Sequence, residues 1–166
     1  ISAIYIKIEP FACGYAKLQE LRRQMDYFKA SGKKIYGYME RGFEKEYYIA
    51  MGCDEIYAPP SALINLLGFA TAPTFLAGVL DKIGIDAQVQ RIGRYKSAGD
   101  QLSRYRSSDS QQEVTWNLLN ISSEFWINEV SKTRNITKED LREMIDNPAI
   151  SVYELCSKGL LDGALY

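Results

Sequence analysis

Histidine is absent from the chain of 166 residues, which removes the Ser-His-Asp triad, the Cys-His pair and every histidine-ligated metal centre at once. Cysteine is scarce. Cys13, Cys53 and Cys156 are odd in number and lack the paired spacing of a metal site, so they are expected to be ordinary thiols. Neither sign of charge dominates, with 20 basic against 21 acidic residues, and no global field points toward nucleic acid or an anionic membrane surface. No long hydrophobic run occurs either. The most apolar stretch, residues 61–80, is interrupted by Asn65, Gly68, Pro73 and Gly78, which suits a strand and a helix rather than a membrane span. Acid–base chemistry near neutral pH is therefore left to lysine or a carboxylate.

What is present is an alternation of short apolar strands with longer helices. Residues 3–8 alternate around β-branched side chains, and residues 15–28 carry Leu18, Leu21, Met25 and Phe28 at helical spacing until Ser31-Gly32. Strands are expected at 34–38 and 55–57, with a helix at 44–51 between them and a corner at Pro59-Pro60. An apolar segment at 63–69, a helix at 74–83 and a strand at 87–92 follow. Strand–helix–strand repetition favours a mainly parallel sheet, so the fold class is α/β. The last third is expected to be helical. Ser110-Gln-Gln-Glu113 and Thr137-Lys-Glu-Asp140 have capping-box form, and Pro148 closes the second of these helices. Leu118, Ile121, Phe125, Trp126 and Val130 form an apolar stripe, a core or partner-facing surface. A short helix over 152–161 has Gly159 as its C-cap. With 46% apolar residues and no repeat or linker, residues 1–166 are expected to form one domain. The chain opens at Ile1 in a strand-like segment, as an excised or processed piece would.

The candidate catalytic residue is Lys96, in the turn Arg91-Ile-Gly-Arg-Tyr-Lys-Ser-Ala-Gly-Asp100 directly after the expected strand. In open α/β sheets the carboxyl ends of strands are where ligands bind. A lysine ammonium, ordinarily near a pKa of about 10.4, becomes a base only when burial or a positive neighbour lowers it by roughly 3 units. Arg91, Arg94, Arg104 and Arg106 lie near it in sequence, and Ile92, Tyr95 and Ala98 flank it. Ser97 is too close in sequence to serve as its nucleophile, since neighbours on an extended turn point apart. Ser103, Ser107 and Ser108 are expected to be solvated, and Glu44 and Glu46 to complement a helix dipole. Gly14 and Gly68 suit turns as well as an oxyanion cradle, and neither is assigned.

The stretch Gly93-Arg-Tyr-Lys-Ser-Ala98 resembles the lysine motif of the signal peptide peptidase A (protease IV) family, Ser-Lys peptidases with a ClpP/crotonase-like fold. The resemblance extends along nearly the whole chain. Ala30-Ser-Gly-Lys-Lys34, Tyr47-Tyr-Ile-Ala50, Cys53-Asp-Glu-Ile56, Leu67-Gly-Phe-Ala-Thr71, Leu80-Asp-Lys-Ile83 and Lys158-Gly-Leu-Leu-Asp162 follow in the family's order. It implies a mainly parallel sheet flanked by helices, and Lys96 as the general base. It implies no cofactor and no metal. In two-repeat members the first repeat supplies the lysine and the second the serine. Here the segment corresponding to the serine reads Phe43-Glu-Lys-Glu46, with Glu44 at the serine's place. The resemblance thus implies an N-terminal, lysine-bearing repeat of a longer protease, inactive alone. Its implied partners are hydrophobic peptides, the C-terminal repeat and further copies in a homo-oligomer, and its implied place is the non-cytoplasmic face of a bacterial cytoplasmic or plant thylakoid membrane. Two alternatives stand beside it: a crotonase-like acyl-CoA enzyme using Glu44 or Glu46, and a non-catalytic repeat that builds the oligomer.

Overall fold

The alternating start of the chain forms β1 (Ala3–Ile8), and the amphipathic segment after it forms α1 (Tyr15–Lys29), which buries Leu18 and Met25. Gly32, at φ +78°, turns the chain out of that helix and into β2 (Lys34–Met39). The short β3 (Arg41–Gly42), α2 (Glu44–Ala50), β4 (Glu55–Ala58) and β5 (Leu63–Ile64) complete the first part. Then come α3 (Ala77–Lys82), α4 (Asp100–Ser103), α5 (Asp109–Arg134), α6 (Lys138–Asp146), α7 (Val152–Ser157) and β6 (Gly163–Ala164). This computed structural model describes residues 1–148 and 151–166.

The chain divides into two compact units, one built from Ile1–Gly68 with Phe125–Tyr166, the other from Phe69–Glu124. The first unit holds a four-stranded, all-parallel sheet of order β1-β2-β4-β6, with Ala3 opposite Lys34, Tyr36 opposite Glu55 and Tyr57 opposite Gly163. A second parallel pair, β3-β5, sets Arg41 against Leu63. Its core gathers Ile35, Met39 and Ile56 from the sheet, Tyr47, Ile49 and Ala50 from α2, and Trp126, Ile127 and Val130 from the end of α5. Side chains so buried contribute about 1.5–3 kcal/mol each. The polar tips are answered: Tyr47 donates to the Leu160 carbonyl at 2.6 Å, and Trp126 Nε1 donates to the Glu44 carbonyl at 3.0 Å. This is the expected α/β class, a parallel sheet with flanking helices and a helical last third, of the ClpP/crotonase-like kind.

Several expectations need correction in detail. Residues 87–92 form no strand, and within the second unit no strand occurs among the described residues. An alternating apolar pattern makes a strand only against a partner ladder, and the unit offers none. Lys96 therefore does not follow a strand of this chain. The helix expected at 74–83 is confined to α3. Ser108, expected to be solvated, is 8% exposed, and its Oγ caps α5 by accepting from Gln111 N at 3.3 Å. Ser110 is thus not the cap. The apolar stripe on α5 is split: Trp126 and Val130 are core, whereas Leu118 and Ile121 are 61% and 68% exposed. Thr137 caps α6 as expected, accepting from Asp140 N at 3.1 Å.

Candidate functional site

The second unit presents Lys96 on a loop fastened at several points. Gly93, at φ +106°, begins a turn in which Lys96 N donates to the Gly93 carbonyl at 3.3 Å. Past it, Asp100 N donates to the Ser97 carbonyl at 3.0 Å and opens α4. Arg91 Nη1 donates to Asp100 Oδ1 at 2.9 Å across the base of the loop. On the outer limb, Arg94 Nη2 donates to Glu113 Oε2 at 2.8 Å, and the Tyr95 hydroxyl reaches Glu113 Oε1 at 3.3 Å. The Arg94 guanidinium also lies 5.1 Å from the centre of the Tyr95 ring. Gly99 packs so closely that a β-carbon there would lie 2.3 Å from Val89 Cγ1, so any larger residue must displace the Val89 side chain.

Lys96 itself is exposed and makes no ion pair among the described residues. It lines an open cleft of about 690 Å³ together with Val89, Ile92, Tyr95 and Ser97. Of the four arginines near it in sequence, Arg91 and Arg94 are committed to Asp100 and Glu113. No metal-binding cluster of cysteine and acidic side chains occurs among the described residues, and no helix among them is long and apolar enough to cross a membrane.

In the first unit, the two glutamates at the start of α2 are buried. Glu44 is 9% exposed, and its Oε1 accepts from both Leu67 N and Gly68 N at 2.7 Å. Glu46, at 4% exposure, accepts from Phe43 N at 3.0 Å and Phe11 N at 3.3 Å. Burial and these two glutamates together push the Tyr15 hydroxyl pKa upward. The two carboxylates therefore do more than complement a helix dipole. They bind α2 to the segment after β5 and to the loop after β1, using backbone donors that no strand or helix satisfies. Spacing in the sequence could not have shown this, because the donors lie 23, 24 and 35 residues away.

In comparison with known proteins, residues 27–160 match peptidase family S49. The chain is 41% identical over 166 residues to "Serine protease SPPA, chloroplastic" of Arabidopsis thaliana, covering all of this chain and 24% of that protein. It is 30% identical over 118 residues to "Protease 4" of Haemophilus influenzae, which covers 69% of this chain and 19% of the relative. A "Putative signal peptide peptidase SppA" of Enterococcus faecium is 21% identical over 164 residues, 98% of this chain and 47% of its own length. The chain thus spans between about a fifth and a half of these relatives.

Proposed function

Because the chain belongs to peptidase family S49, we propose that it is the lysine-bearing repeat of a longer serine peptidase. Lys96 is its general base, and the nucleophilic serine comes from a second repeat of the same protein. The single observation that carries this reading is the contrast between two positions. Lys96 stands exposed on a fastened loop beside an open cleft, whereas the carboxylate at the serine's place is tied to backbone N–H groups.

In this mechanism the neutral lysine accepts the proton of the serine hydroxyl as the oxygen attacks a peptide carbonyl. The C–N bond of the tetrahedral intermediate then breaks, the proton passes to the leaving amine, and water hydrolyses the acyl-enzyme. Substrates are short hydrophobic peptides, remnants of signal peptides among them, held extended as an added strand. Leu118 and Ile121, exposed on α5, form the face that further copies cover in a homo-oligomer. By family likeness, its proposed place is the non-cytoplasmic face of a membrane, bacterial or thylakoid. No nucleic-acid partner is proposed, given 20 basic and 21 acidic residues. The acyl-CoA alternative is the less favoured reading, because Glu44 and Glu46 already accept from backbone donors.

The test is hydrolysis of hydrophobic ester and amide substrates by the full-length protein, by its Lys96→Ala variant and by this chain alone. Activity confined to the unaltered full-length protein supports the split dyad. An active Lys96→Ala variant would leave the chain as a non-catalytic, oligomer-building repeat.

A further inference from the structure

We infer that the Arg91–Asp100 ion pair is the positioning device for Lys96, an inference that rests on reading Lys96 as the general base. Asp100 is 2% exposed. Burying a carboxylate is costly unless it is paired and fully hydrogen-bonded. Here Oδ1 accepts from Arg91 Nη1 at 2.9 Å, while Oδ2 is buried without a hydrogen-bond partner among the described residues. Replacing both members of a buried ion pair by apolar residues of similar volume commonly gives equal or better stability. Stability alone therefore does not account for Asp100, and its position does.

Arg91 and Asp100 stand at the two ends of the segment that carries Lys96, nine residues apart in sequence. Their pairing closes that segment and removes most of its freedom. The packing of Gly99 on Val89 adds a second fastening just inside the first. Glu113, holding Arg94 and Tyr95, secures the outer limb. Lys96 projects from between these points. Proton transfer from a serine requires heavy atoms about 2.6–3.2 Å apart, and a misplacement of about 1 Å costs on the order of 100-fold in rate. Asp100 is buried, and Arg91, although it lines the same cleft as Lys96, is committed to Asp100. They act through the lysine they hold, so their loss lowers kcat and leaves KM nearly unchanged.

The experiment is steady-state hydrolysis of a hydrophobic ester by the full-length protein, with Asp100→Asn, Asp100→Glu and Arg91→Ala set beside Lys96→Ala. The expected result is a fall in kcat of at least about tenfold for Asp100→Asn and Arg91→Ala, with KM within about twofold. Asp100→Glu recovers part of the loss, and millimolar guanidinium restores Arg91→Ala but not Lys96→Ala. A merely structural pair would show no such rescue in a folded variant. If Asp100→Asn does not fold, judged by circular dichroism, Arg91→Ala decides. Wild-type kcat in that variant, or a loss that guanidinium does not relieve, overturns the inference. If those negatives occur while Lys96→Ala is inactive, the general-base role survives and only the positioning role falls. An active Lys96→Ala variant removes both.

Discussion

Replacing Glu44 by alanine strips two part-buried backbone donors, Leu67 N and Gly68 N, of the one oxygen that accepts from both at 2.7 Å. Hydrogen bonds to a charged acceptor contribute about 1.5–3 kcal/mol each. Since the two donors share an oxygen, the lower end applies to each, and the loss is about 3 kcal/mol. Glu44→Gln keeps an acceptor oxygen in the same place and gives up only the charge, for a loss of about 1 kcal/mol. A carboxylate that merely complemented the dipole of α2 would behave differently. Both variants would then cost the same, about 0.3–1 kcal/mol. The split between the two variants is the diagnostic quantity. Urea unfolding followed by tryptophan fluorescence measures it, with Trp116→Phe as background so that only Trp126 reports, its indole bonded to the Glu44 carbonyl. Equal losses in the two variants would refute the anchoring argument.

Two further perturbations test the packing. Gly99→Ala forces a β-carbon to within 2.3 Å of Val89 Cγ1, an overpacking expected to cost about 1–3 kcal/mol and to be relieved by Val89→Ala in the double variant. Additive losses on thermal unfolding would show that the contact is not the cause. Burial pushes the Cys53 thiol pKa up to about 12, so at pH 8 it stays protonated and unreactive toward an alkylating reagent, while the partly exposed Cys13 is modified first. The folded thiol holds its proton more tightly than the unfolded one, so its contribution to stability is complete below about pH 8.5 and declines as pH rises toward 12. Modification of Cys53 as fast as Cys13 in the native protein would contradict its burial.

The sheet was legible because its strands carry their own signal. In β1 and β2 the alternation of Ile4, Ile6, Ile35 and Met39 with more exposed neighbours matches the pleat, and both strands find partners within this chain. Residues 87–92 carry the same signal without a partner, so periodicity alone mistook them for a strand. Thr137 was readable as a cap because capping is local, whereas Ser110 was displaced by Ser108, two residues earlier, which accepts from the N–H of Gln111. Lys96 is singled out only through resemblance, since an isolated lysine carries no pattern. The partners of Asp100 and Glu44 follow from the path of the backbone, which brings together groups that no spacing rule connects.

The parallel sheet has a consequence for how the protein is made. Its last strand, β6, docks beside β4, and Asp162 just before it accepts from Ile56 N at 2.7 Å and pairs with Arg134 at 3.0 Å. Ile56 and Asp162 are 106 residues apart. At a synthesis rate of about 5–20 residues per second, β4 waits roughly 5–20 s for that neighbour, its edge open throughout. During elongation the nascent first unit is therefore a three-stranded intermediate in which the β4 edge is open in addition to that of β1, the interval in which a ribosome-associated chaperone has most to cover.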